Sequence, residues 1–486
     1  MLLNIAKFQK GRTISTLNEF FRSGWYLGCI VLCMACSELF SLELYVIPIY
    51  LFIGMICILF CDDLLGVVPM ASCSYMLFAA KNNPGKFPET GLFAQQYAQD
   101  LLFICICIAA TVLVIRLVYD LLRKKERHGV PKLTAGYVAL GIAYVLGGAF
   151  SGYYDTRTVF FGLVQIASVS VFYFYFYFTV NWRNVPRHYT ALLVTLIGVG
   201  LFAQVLGMYF NPGAPSLDGS GDRGALYTGW GVWNCVGCMM AFCIPAPVYF
   251  AVTKKHGWRY TLLSTLFLLG VVLTQSRGSM LTGAIVYACG VAVTLVKSCK
   301  KERIYNLLVY ACMLICGMVV VFLFRDKVGK LLSSLFGAGL SDNGRFDLYE
   351  EAIRSFLRYP LFGVGWYDVP GIQFAQGGMY PNGAPELENF FIPGFVHNTP
   401  LQLLAMGGAL ALACYLFHRV QTVALFLHQP TLAKTVSGIC ILAILIASLL
   451  DNHIFNMGPG LLYSILLVFA ERAEGGQKRE FLVVHR

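Results

Sequence analysis

Between Thr261 and Val296 the chain carries a single charge, Arg277, in an otherwise apolar run. At a helical rise of ~1.5 Å per residue this run would extend ~54 Å, too long for one bilayer crossing and suitable for two. A charge costs ~2.5–3.5 kcal/mol at the bilayer centre and far less near an interface. The run therefore reads as a helical hairpin with Arg277 at its fold. Such runs recur along the chain. Of its residues 58% are hydrophobic and 13% are charged, about half the charged share of a soluble domain. The expected fold class is an all-α integral membrane protein.

About fourteen apolar segments can be placed, with 12–14 spans plausible. They begin near Trp25, Leu42, Leu64, Leu101, Ala135, Val159, Ala191, Trp230, Tyr260, Met280, Ile304, Thr399, Val436 and Pro459. The third, "GVVPMASCSYMLFAA", is short and contains Pro69, which suits a re-entrant segment. The N-terminal "MLLNIAKFQKGRTISTLNEFFRSG" is basic and polar, and no small-residue cleavage site follows the first apolar run. It reads as a retained cytoplasmic segment. The 17 cysteines fall almost entirely within apolar runs. There they act as small hydrophobes, and neither disulfides nor zinc is expected.

The net charge of +11 is read through topology. No long basic stretch interleaved with aromatics points to nucleic acid. With the N-terminus inside, the inner face receives "RKKER", "WRNVPRH", "KKHGWR", "KSCKKER" and the basic C-terminal tail. About 24 Lys/Arg then lie inside and about 11 outside, with Arg116 left within a span. An even span number returns the C-terminus to the cytoplasm. This divides the chain into a membrane bundle with Arg-bearing outer loops (1–324), a large extracytoplasmic loop (325–398), and C-terminal spans with a cytoplasmic tail (399–486). A loop that long usually has structure and a job.

Within the large loop, Phe346, Tyr349, Ile353, Phe356 and Leu357 fall at helical spacing. Asp342 or Asn343 can cap this helix, and Pro360 ends it. An amphipathic helix is expected, lying on the membrane or packed over the bundle, with a covering role for most of its residues. Next, in "FVHNTPLQLLAMGG", Thr399 suits an N-cap and Pro400 the first helical position. His397 then sits just before a span, at the outer face.

Three groups converge on that side: Arg223, Arg277 and His397. Arginines at an interface can bind a lipid-linked diphosphate through bidentate, charge-assisted hydrogen bonds. A histidine can serve as a base near neutral pH. Plain readings exist for each: Arg277 snorkels, Arg223 is a loop charge, His397 bonds locally.

Taken together, "TQSRGSML", "GRFDLYEEAIRSFLRYPLFGVGW" and "HNTPLQLLAMGG" resemble the O-antigen ligase and O-antigen polymerase superfamily. There an S-R-G turn precedes a large periplasmic loop. That loop starts with a G-R-aromatic helix, passes through P-x-x-G-x-G, and ends in a His-Asn/Ser segment. Upstream, "DRGALYTGWGVWN" is similar to the family's R-x-x-G…N segment at Arg223 and Asn234, with looser spacing. Tyr349 stands where the family often has Trp. The resemblance covers roughly Arg223 to Gly408.

The resemblance implies a metal-independent, inverting glycosyltransferase of the bacterial cytoplasmic membrane, with no cofactor. Its donor would be a glycan on undecaprenyl diphosphate, and its acceptor a glycan or glycolipid hydroxyl. His397, Arg277 and Arg223 would be catalytic. Arg345, Asn398, Trp366, Ser276 and Asn234 would bind substrate. A diphosphate leaving group needs its charge neutralised by Mg²⁺ or by cationic side chains. The outer loops show no compact acidic pair beside the arginines, only scattered residues such as Asp218 and Asp222. Within the class, a polymerase is slightly favoured over a ligase acting on lipid A core or protein, because fourteen spans exceeds the about twelve expected of ligases. A chain-length regulator is a candidate partner of a polymerase. A lipid-linked glycan flippase is the rival outside the class, but such transporters usually place ionisable groups near the midplane and show repeated halves. A purely structural or receptor role is the other rival, disfavoured by the His–Asn pair and the S-R-G turn.

Overall fold

The computed structural model describes residues 12–40, 42–76, 96–123, 129–152, 154–210, 226–336, 345–366, 396–453 and 457–472. The described chain is almost entirely helical, as expected of an all-α membrane protein. In order, its helices are α1 (Arg12–Phe21), α2 (Gly24–Phe40), α3 (Glu43–Phe60), α4 (Val67–Cys73), α5 (Gln96–Arg123) and α6 (Thr134–Val145). There follow α7 (Thr156–Thr179), α8 (Tyr189–Met208), α9 (Trp233–Cys243), α10 (Val248–Thr253), α11 (Trp258–Leu273) and α12 (Arg277–Lys297). The last are α13 (Lys300–Leu323), α14 (Arg325–Phe336), α15 (Arg345–Arg358), α16 (Thr399–Leu427), α17 (Leu432–Ala447) and α18 (Met457–Arg472). A two-residue ribbon, β1 (Tyr227–Thr228) with antiparallel β2 (Gly231–Val232), leads into α9.

Every expected apolar segment coincides with a helix. Seven of these, in α5, α7, α8, α9–α10, α12, α13 and α16, are long and apolar enough to cross a membrane. The others are shorter. The 12 residues of α6 rise only ~18 Å against a hydrocarbon core of ~30 Å. Among the described residues, apolar composition thus located the helices, of which seven have the length of a full crossing. Pro245 and Pro247 interrupt the run at 244–247 and split it into α9 and α10.

The core forms where α18 packs on α7, α16 on α6, α2 on α8, and α9 on both α12 and α17. The outward faces of α5 and α13 stay apolar and exposed, including Phe103, Ile108, Ile304, Leu308, Leu314 and Phe322. Such surfaces suit lipid contact. On α13 the buried polar Asn306 bonds to Thr261 at 2.7 Å and Ser298 at 3.4 Å, a hydrogen-bonded attachment suited to a membrane interior. Arg116, the charge left within a span, is buried. It donates to the carbonyls of Ile58, Cys61 and Asp62 and pairs with Asp120 at 3.2 Å. It thereby closes the C-terminal end of α3, where free carbonyls attract a cation.

Helix α16 is broken in the middle. Gly408 has φ +65° and ψ −163°, which removes local i→i−4 bonds and would strand backbone groups inside the membrane. The segment 360–366 supplies the missing partners. The N–H groups of Val364 and Gly365 donate to the carbonyls of Ala405 and Met406, both at 2.9 Å. The N–H groups of Ala409 and Leu410 donate to Pro360 and Leu361 at 2.8 and 3.2 Å. Only glycine fits here. A Cβ on Gly408 would lie 2.4 Å from the Leu361 carbonyl carbon, and one on Gly363 (φ +67°) would lie 2.5 Å from that of Met406. The "PLFGVGW" run is thus a backbone splint for the broken helix.

Helix α15 forms as expected, but a different face packs. Leu348, Ala352 and Ser355 are buried, and the helix lies against α16. The small side chains of Ala352 and Ser355 allow close approach. Phe346, Ile353 and Leu357 of the expected apolar stripe remain exposed. The candidate caps Asp342 and Asn343 lie outside the described residues. At α16 the N-cap is Asn398 rather than Thr399: its side chain accepts from the Leu401 N–H at 3.0 Å, and Pro400 falls in the first turn.

Candidate functional site

The connection between α17 and α18 organises one end of the bundle. Asp451 lies there, flanked by Leu449, Leu450, Asn452 and His453. Its Oδ1 sits 2.9 Å from His397 Nδ1 and accepts the Asn452 N–H at 2.8 Å. Its Oδ2 accepts from Asn234 Nδ2 at 3.4 Å. Asn234, in the first turn of α9, in turn accepts a 2.8 Å bond from the Ser276 hydroxyl. Ser276 caps α12, whose first residue is Arg277. A continuous hydrogen-bonded chain, Ser276–Asn234–Asp451–His397, therefore joins four segments far apart in sequence.

The local sequence explains this convergence. Ser276 is a good N-cap, and its hydroxyl meets both Ser279 and Asn234. Gln275, just before it, has φ +55°. That left-handed residue turns the chain sharply between α11 and α12. His397 also has φ +55°, a left-handed residue just before the following helix. The Asn398 amide caps α16 and donates to the Leu449 carbonyl at 2.9 Å. The Tyr349 hydroxyl reaches the His397 carbonyl at 3.5 Å.

Burial tends to raise the Asp451 carboxyl. Its hydrogen bond with His397, the electrostatic pull of the adjacent His453 and His397 rings, and the Asn452 N–H outweigh that and hold it well below the usual carboxylate range. An ionised carboxylate only accepts, so the proton of this bond sits on His397 Nδ1. The His397 side chain keeps 33% of its surface exposed. Burial pushes His453 toward the neutral form, and the Asp451 carboxylate opposes this.

The remaining expected residues distribute unevenly. Arg277 is half-buried at the N-terminus of α12. Arg345 opens α15 and donates to the Leu450 carbonyl at 2.9 Å, one residue from Asp451. Trp366 is buried in a second core with Tyr144, Phe161 and Met406, and its indole N–H donates to the Tyr144 carbonyl at 2.7 Å. The structure thus places Trp366 in packing between the splint and α6. Arg223 lies outside the described residues. Among the described residues, no three His, Cys, Asp or Glu side chains are grouped to hold a metal ion.

Asp451 is the residue that sequence reading overlooked. It is the only carboxylate between Glu388 and Glu471. The run "DNH" is an abrupt polar triplet between two apolar segments, a signal available without a structure.

Residues 237–416 match a family model described as O-antigen ligase. That stretch is similar to the O-antigen ligase and polymerase superfamily. The O-antigen ligase match contains the S-R-G turn, α15, the splint and His397. Asn234 and Asp451 lie outside it, yet both bond directly within the site. No curated protein matches the chain. The O-antigen ligase match supports a membrane protein with a glycan-processing role of the ligase or polymerase type.

Proposed function

We propose that this protein is a metal-independent, inverting glycosyltransferase. It transfers a glycan from undecaprenyl diphosphate to an acceptor hydroxyl at the outer face of the bacterial cytoplasmic membrane, in surface polysaccharide assembly. The observation that carries this reading is the Ser276–Asn234–Asp451–His397 chain. It fixes an imidazole by one nitrogen and leaves the other for a substrate proton. The acceptor O–H attacks the anomeric carbon, His397 Nε2 takes the proton, and the bond to the diphosphate oxygen breaks with inversion.

The leaving diphosphate needs positive charge. Arg277 at the start of α12 and Arg345 at the start of α15 border the same chain of bonds. Helix N-termini add partial positive charge to these side chains. Arg223 is assigned to the same task by its place in the R-x-x-G…N resemblance. Asn234 and Ser276 orient the carboxylate and the arginine-bearing turn. Asn398 secures the backbone beside the base. A polymerase extending one lipid-linked glycan with another is the preferred member of the class, with a chain-length regulator as its partner.

The test is a transfer assay with purified protein, a synthetic lipid-diphosphate glycan and a glycan acceptor. A product of opposite anomeric configuration is expected. Retained configuration, or movement of the lipid across vesicles without transfer, would replace this reading with a double-displacement enzyme or a flippase.

A further inference from the structure

Gln402 is buried one turn into α16. Its Oε1 accepts the Val396 N–H at 2.7 Å and an Asn452 side-chain N–H at 2.8 Å. Its Nε2 lies 2.9 Å from the Met406 sulfur. Val396 immediately precedes His397, and Asn452 immediately follows Asp451. One amide oxygen therefore ties the residue before the base to the residue after its carboxylate.

This bridge bears on a constrained backbone. His397 has φ +55°, a conformation that non-glycine residues hold only where their surroundings impose it. On one side, the Asn398 cap and its bond to Leu449 fix the chain. On the other, Val396 is fully buried, and its N–H requires a partner. Gln402 is that partner. Through Asn452 it also holds the segment from which the Asp451 carboxylate projects.

We propose that Gln402 is a positioning residue for the transfer reaction: its side-chain oxygen sets the mutual placement of His397 and Asp451 without touching substrate. This deepens the reading above and rests on His397 being the base. Misplacing a reacting group by about 1 Å can cost ~10²-fold in rate. Donor binding by the arginines does not depend on the bridge.

The experiment compares full-length Gln402→Met, which keeps length and loses the acceptor, with Gln402→Glu, which retains an acceptor oxygen. Asn452→Ala frees the other end of the same bridge and carries the same expectation as Gln402→Met. Transfer is normalised to folded protein, and kcat and KM are read separately. Gln402→Met is expected to lower kcat ~10–10²-fold with KM for the lipid donor within about twofold. Gln402→Glu should recover most of the loss. Combined with Asp451→Asn, Gln402→Met should be no slower than the slower single variant, because both act through the His397 ring. Near-normal kcat in Gln402→Met and Asn452→Ala, or effects that multiply with Asp451→Asn, would overturn the proposal. His397→Ala is run alongside. If it is inactive while Gln402→Met is normal, only the bridge fails; if it is active, the base assignment itself fails.

Discussion

His397 and Asp451, 54 residues apart, meet through a 2.9 Å bond between Nδ1 and Oδ1. The carboxylate selects the ring tautomer and orients the imidazole. Asp451→Asn should therefore slow transfer severely while protein abundance and donor binding persist. A loss approaching the ~10²–10⁴-fold worth of a placed base is expected. Specific activity of purified variant and wild type, measured at equal folded protein, checks this.

The same carboxyl makes stability depend on pH. Its value in the folded state is depressed, below an unfolded value near ~3.9. Its contribution is thus complete above about pH 4 and lost as pH falls below that toward the folded value. Wild type should exceed Asp451→Asn in thermal stability at pH 7, and the gap should narrow below about pH 4. A constant gap in melting temperature across that window would count against the depressed carboxyl.

Arg277 begins α12 directly after the Ser276 cap. Arg277→Lys keeps the charge but loses the planar fork. One charge-assisted hydrogen bond is worth ~1.5–3 kcal/mol, so transfer should fall roughly 10–10²-fold. Activity of the wild type should persist in excess EDTA. A Mg²⁺ requirement, or wild-type turnover in the lysine variant, would contradict charge neutralisation by arginine.

The splint makes its own prediction. Gly408→Ala places a Cβ against the Leu361 carbonyl and imposes a left-handed conformation on alanine. A strain of ~1–3 kcal/mol from the backbone alone, plus the overlap, should lower the melting temperature and folded yield. Leu410→Ala, on the helix just beyond the break, serves as the comparison. It leaves the backbone bond to Leu361 in place and should be milder.

How far the sequence revealed this protein differs by feature. Long apolar runs located the membrane-buried helices because burial in lipid demands them. They could not show how long each helix runs: α6 ends after 12 residues although the apolar sequence continues through Leu146. The histidine, the S-R-G turn and Asn234 were visible as polar residues at helix starts. Asp451 was not connected to them, because a hydrogen bond across 54 residues has no local periodicity. Likewise, the pattern in "PLFGVGW" showed two glycines but not the distant Gly408 break that requires them. The buried face of α15 went to Leu348, Ala352 and Ser355, since close packing favoured small residues over the larger apolar stripe.

The central claim is that His397 is the base of a transfer reaction. The most direct measurement is glycan transfer by purified His397→Ala, normalised to folded protein, with donor affinity determined on the same sample. Transfer ~10²–10⁴-fold slower with donor affinity retained is the predicted result. Near-normal specific activity would contradict it and move the catalytic group elsewhere in the protein.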